Sequence, residues 1–257
     1  MTRLPPGTFT PAPGRGSLPR MLFAQARIEF VLTLRNGEQV LLTLLIPLGL
    51  LIGLTVLHVL PVPSPRVDNV TPRVLALAVM STAFTGQAIA LGFDRRYGVL
   101  KRLAATALPR WSLVAGRMLA VFGVVVVQLV VLGTVAAALG WRPAPAGTAA
   151  AALLILAGTA AFGALGVLLG GALRAEVVLA LANTVWLVLV VAGGIVLSVD
   201  ALPGPLSALA VILPSGALAE GLRAALVDGA TPWGAVGVLL AWAAGAGILA
   251  ARTLRLS

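Results

Sequence analysis

Long apolar runs alternate with short polar segments along most of this chain. Seven stretches of 19 or more residues carry no Asp, Glu, Lys or Arg: 39–65, 74–93, 118–141, 143–173, 177–199, 201–219 and 229–251. A helix that crosses the hydrocarbon core needs about 20 consecutive apolar residues. Trimmed of turn residues, six of the runs meet that length, and they predict spans near 40–60, 74–93, 118–140, 148–172, 177–199 and 233–251. The seventh does not. Pro203, Pro205 and Pro214 each remove a backbone N–H, leaving uninterrupted helix only from 206 to 213. At about 1.5 Å per residue this reaches roughly 12 Å, far short of the ~30 Å core. The pattern predicts a short helix, a bend at Pro214-Ser215-Gly216 and a second helix over 218–226, a broken re-entrant extracellular hairpin between spans 5 and 6. Such a segment enters the membrane only where protein or water covers its freed polar groups.

Ahead of the first span, residues 18–39 read as a helix with two apolar stripes. Met21, Ile28 and Leu32 form one, and Phe23, Phe30 and Leu34 the other. Arg20 and Arg27 separate them on one side, with Gln25, Glu29 and Asn36 on the other. An N-terminal interface helix between lipid and a protein partner has this pattern, and so does a helix packed on the protein's own spans. Residues 1–17, rich in Pro, Gly and Arg, read as a flexible cytoplasmic tail, and 18–257 as one transmembrane domain. The first apolar run is too long for a cleaved signal peptide.

Composition agrees and adds direction. The chain is 60% hydrophobic and 10% charged, yet its net charge is +10. Soluble domains carry about 25% charged residues, and disordered chains lack this much Leu, Val and Ile. With no cysteine there is no disulfide, thiolate metal site or Cys nucleophile. Six spans with both termini inside place 14 basic residues on the cytoplasmic side and leave Arg66, Arg73, Arg142 and Arg223 outside. This is the positive-inside arrangement, so the juxtamembrane arginines point to a lipid bilayer and away from nucleic acid. Trp111, Trp141 and Trp233 fall at span ends, where an amphipathic ring sits among headgroups, while Trp186 and Trp242 fall within spans.

Several chemistries are absent. The single lysine, Lys101, stands in Val99-Leu100-Lys101-Arg102, which is not the Gly-rich phosphate loop that ends in Gly-Lys-Ser/Thr. One histidine, His58, rules out a His-Glu-x-x-His zinc site and reads as an interfacial side chain. No carboxylate lies inside a predicted span; Asp94 and Asp200 sit at span edges. This argues against an ion-coupled carrier without removing it, because broken helices can hold Na⁺ with carbonyls. Thr85, Gln87, Gln128, Asn183 and Thr184 do lie inside spans. They serve either hydrogen bonding between helices or a substrate path. Gly49/Gly53 and Gly166/Gly170 are GxxxG pairs that permit close helix approach.

The loop after the second span carries the most information. It reads Phe93-Asp94-Arg95-Arg96-Tyr97-Gly98-Val99-Leu100-Lys101-Arg102-Leu103-Ala104-Ala105-Thr106-Ala107-Leu108-Pro109-Arg110. A charged cluster, Gly-x-Leu-x-x-Leu, a proline break and a basic return to the membrane resemble the membrane subunit of ABC-2 type transporters. Gly98-Val99-Leu100-Lys101-Arg102-Leu103 fits that pattern well, and Thr106-Ala107-Leu108-Pro109 fits with the proline displaced. Asp94-Arg95-Arg96 stands where the family often has Arg-Glu. Leu213-Pro214 followed by Glu220-Gly221-Leu222-Arg223 is also similar to the family. Among subgroups, the drug-resistance and antibiotic-export permeases are most alike.

The resemblance implies an all-α polytopic membrane protein of the plasma membrane that is not itself an enzyme. It would work with a pair of separate ATP-binding subunits and a second permease chain, with ATP and Mg bound only by the ATPases. Asp94, Arg95, Arg96, Tyr97, Gly98, Lys101 and Arg102 would then form the ATPase-coupling loop. Charge-free spans suit a hydrophobic or amphiphilic cargo such as a drug, antibiotic or lipid. A lipid-linked saccharide, a self-contained ion-coupled carrier and a membrane scaffold or sensor are the alternatives.

Overall fold

The computed structural model describes residues 16–37, 41–57, 64–105, 109–195 and 204–253, and every regular element among them is helical. His58, Asp200, Thr106-Ala107-Leu108 and nearly all of the N-terminal tail lie outside the described residues. In chain order the helices are α1 (Leu18–Arg35), α2 (Ile46–Val56), α3 (Arg66–Met80), α4 (Gln87–Arg96), α5 (Val99–Ala104), α6 (Arg110–Ala138), α7 (Thr148–Ala172), α8 (Ala175–Ala192), α9 (Gly204–Ile212), α10 (Pro214–Leu226) and α11 (Trp233–Thr253). Two π-helical segments join them: Leu41–Leu45 leads into α2, and Ser81–Gly86 links α3 to α4.

Five helices are long and apolar enough to cross a membrane: Arg66–Arg96, Trp111–Ala138, Pro145–Ala172, Ala175–Ala192 and Trp233–Thr253. The chain is therefore a multi-pass membrane protein. The first of the six expected spans appears only as a shorter apolar helix, Thr43–Val56, at most about 21 Å long at ~1.5 Å per residue. The fourth span has the expected limits. The second is longer at both ends than the charge-free run, because its helix continues through Asp68 and Arg73 on one side and Asp94 to Arg96 on the other.

The core is centred on Arg66–Arg96, the most buried of the five long helices. Leu77, Val79, Met80 and Ala83 are sealed from solvent, together with Phe162 of α7 and Leu218 and Leu222 of α10. Packing here depends on small residues. A Cβ on Gly166 would stand 2.9 Å from the Ala83 and Phe84 carbonyl oxygens, and one on Gly170 2.5 Å from the Ala88 oxygen. This GxxxG pair brings α7 onto α4 and its π segment. The other pair, Gly49 and Gly53, faces open space on α2.

The proline-rich stretch breaks where backbone chemistry requires. Helix α9 ends at Ile212, Leu213 is extended, and Pro214 opens α10, where its missing N–H leaves nothing unsatisfied. The second helix starts four residues earlier than expected, since Ser215 and Gly216 lie within it. Gly216 lets α10 fold closely back on the Ala210 carbonyl. The break leaves the Ile212 carbonyl free, and Trp242 Nε1 donates to it at 2.9 Å.

Helix α1 packs along the protein's own α6, one of the two placements its pattern allows. Gln25 lies against Gly116 and the Phe30 ring against Gly123; further on, Gln128 reaches Thr43. Residue numbers rise together on both partners, so α1 and the segment after it run parallel to α6. The apolar stripes do not mark the buried face. Gln25 and Ala26 are buried, whereas Phe23, Ile28 and Leu32 are exposed.

Candidate functional site

Where α4 ends, the loop turns back in two residues. Tyr97 closes the last turn of α4, and Gly98 adopts φ +68°, a left-handed conformation that costs glycine little, before α5 begins. Leu100 anchors α5 by packing with Leu91, Val167 and Ala250. The charged residues around this turn split into two sets.

Asp94 and Arg95 point inward. The Arg95 guanidinium donates to the Gly170 and Leu173 carbonyl oxygens, both at 3.1 Å. It thereby holds the C-terminus of α7, where unpaired carbonyls and the helix dipole favour a cation. Asp94 accepts from Arg117, about two helical turns into α6. Arg117 also donates to Glu29 of α1 at 3.2 Å, and Glu29 in turn accepts from Gln25 at 3.0 Å. Arg117 is buried, so one guanidinium fixes α1, α4 and α6 to one another. Removing one partner of such a buried cluster strands the remaining charges.

Arg96, Tyr97, Lys101 and Arg102 point outward. Tyr97 is 65% exposed; its ring stacks on Phe93 with centroids 6.1 Å apart, and the Arg96 guanidinium lies 6.0 Å from its centre. Arg96 pairs with Glu176 at the start of α8 in an exposed bridge. Arg102 donates to the Tyr97 carbonyl at 3.2 Å, which braces the turn from outside. A mixed aromatic and cationic surface of this kind suits carboxylates on a partner, because guanidinium binds them in two-point fashion.

The profile of the ABC-2 type transporter family matches residues 21–227. The chain belongs to this family. No curated protein matches the sequence. Members of the ABC-2 family are membrane components of transporters and are not themselves catalysts. The matched residues of this ABC-2 chain include the whole cluster around Arg117, the loop and the broken segment. Helix α11 follows the match and packs along α7.

The intramembrane polar residues of this ABC-2 chain fall in two places. Gln128 of α6 accepts from Thr82 Oγ1 at 2.8 Å and donates to the Thr43 carbonyl at 3.0 Å. One amide thus ties both π segments together, and π segments leave carbonyls that need such partners. Thr85 Oγ1 and Gln87 Nε2, on the same second-span helix, are buried and make no hydrogen bond. Asn183 and Thr184 lie apart from these, on the exposed face of α8, and donate back to the Leu179 and Ala180 carbonyls at 2.9 and 3.0 Å. Trp186, also on α8, donates to Ser81 of the π segment at 2.9 Å. Among the described residues, no group of three or more His, Cys, Asp or Glu could hold a metal ion.

Arg117 and Glu29 escaped the sequence reading. In sequence, Arg117 counts only among the basic residues that set topology, and Glu29 only as part of the polar side of the helix over 18–39. The available signal was Gln25 and Glu29 one turn apart between apolar positions, and an arginine well inside an apolar helix.

Proposed function

We propose that this chain is the membrane-spanning permease of an ATP-binding cassette exporter that moves a hydrophobic or amphiphilic molecule outward across the plasma membrane. The family match supports this reading above every other observation, since it covers the loop together with every long apolar helix but the last. Separate ATP-binding subunits dock on the exposed surface of Arg96, Tyr97, Lys101 and Arg102 and hydrolyse ATP there with Mg. Asp94, Arg95 and Gly98 hold that surface in place, and motion of the loop passes through Arg117 to α1 and α6. Both termini are cytoplasmic, with α2 and its π segment as the first crossing and α9–α10 as the re-entrant element.

A second permease chain completes the pathway. Helix α8 supports this, because it exposes Leu187, Val188 and Val191 beside Asn183 and Thr184. An amide on a membrane-facing surface finds a better partner on another helix than in hydrocarbon. Efflux of a drug or antibiotic fits walls without charge.

The test is co-purification of the complex, followed by ATP-dependent uptake of candidate amphiphiles into inside-out vesicles. Reversing charge at Arg96, Lys101 and Arg102 together should abolish ATPase retention while membrane insertion persists. Full retention of the ATPase by that variant would refute the docking assignment.

A further inference from the structure

A small cavity of about 40 Å³, partly open, lies between α1, the second-span helix and α6. Glu29 and Thr33 line it from α1; Thr82, Gly86, Gln87 and Ala90 from the second span; and Arg117, Ala120, Val121 and Val124 from α6. Two of these side chains are more than nine-tenths buried and carry a donor without an acceptor: Gln87 at Nε2 and Arg117 at Nη1. Leaving a buried donor unpaired costs about what its desolvation costs, so two in one cavity call for an occupant with an acceptor.

The rest of the lining narrows the choice. Thr82 Oγ1 gives its proton to Gln128 and Thr33 Oγ1 gives its own to the Glu29 carbonyl, so both hydroxyls can only accept from an occupant. Glu29 and Asp94 against Arg117 leave a formal charge of −1 around the cavity. That excess repels a phosphate, sulfate or carboxylate, even though a guanidinium faces it. A carbonyl or ether oxygen satisfies the donors with no added negative charge, and a positive charge beside it is favoured by the carboxylates. The volume admits one such group and excludes a whole drug-sized molecule.

We propose that this cavity is a substrate subsite, which takes the oxygen-bearing polar end of an uncharged or cationic amphiphile while the apolar remainder stays outside. The proposal rests on the exporter reading and narrows its cargo away from anionic lipids. It also gives the two unpaired donors a role that packing does not supply.

Binding is tested on the purified full chain in lipid nanodiscs, without the ATPase. Rhodamine 6G, a cationic amphiphile with an ester carbonyl, is titrated by fluorescence anisotropy, with the anionic 8-anilinonaphthalene-1-sulfonate as competitor. Saturable rhodamine binding is expected, weakened at least tenfold in Gln87→Leu and in Val124→Phe, which fills the cavity, and resistant to the sulfonate. Gln87→Leu should also melt no lower than the parent, because it removes a buried amide that has no protein partner. If the cavity holds water only, that variant melts lower and binds rhodamine unchanged, which overturns the proposal. Equal competition by the sulfonate overturns it too. Since no ATPase is present, loss of binding leaves the export reading standing, and binding without ATP-driven uptake leaves the subsite standing.

Discussion

Arg95 and Arg96 are neighbours in sequence and opposites in circumstance. Arg95 is half-buried and spends its donors on the end of α7, while Arg96 is exposed and meets only Glu176 and the face of Tyr97. The same division runs through the whole loop end. Asp94, Arg95, Leu100 and Arg117 form an inner layer that fixes helices to one another. Arg96, Tyr97, Lys101 and Arg102 form an outer layer that touches little of the protein. Charge alone does not separate an anchoring arginine from an exposed one; the partner of each guanidinium does.

The contrast can be broken most severely at Arg117. Arg117→Met should cost about 2–3 kcal/mol in unfolding free energy, because Glu29 and Asp94, both half-buried, then face each other with no cation. Denaturant unfolding in detergent measures it, and a cost below 1 kcal/mol would mean that the cluster is solvated. A middle-sized effect is expected at the turn between the layers. Gly98→Ala forces a side chain into the left-handed region and should cost about 1–2 kcal/mol, read from the same unfolding curve. The finest comparison is between the two arginines themselves. Arg95→Gln should destabilise by about 1 kcal/mol through the lost helix-end bonds, and Arg96→Gln by no more than ~0.5 kcal/mol, as for an exposed pair. Matching thermal shifts for the two would erase the distinction between the layers.

Hydropathy made most of the fold legible. Apolar length located all five long helices, and three prolines located the break before α10, because each of these signals acts through the local backbone. The limits of the second span were harder to read. Charge-free counting stops at Val74, but the helix begins at Arg66, since its first two turns are buried by neighbouring helices. The two GxxxG pairs are alike in sequence; only Gly166 and Gly170 meet another backbone, and this depends on which helix faces them. For the site, the loop motif was visible as contiguous residues. The Arg117 cluster was not, because Glu29 and Arg117 are 88 positions apart and no local pattern says that they meet.

That separation has a consequence for how the chain is made. During synthesis Glu29 and Asp94 emerge first, and the guanidinium that neutralises them follows 23 residues after Asp94. Until α6 enters the bilayer, both carboxylates must wait in water, and α1 has no surface to lie on. The amino-terminal helix therefore takes its final position late, after the second of the long apolar helices has arrived. Birth order and assembly order differ in this protein, and one arginine sets the interval.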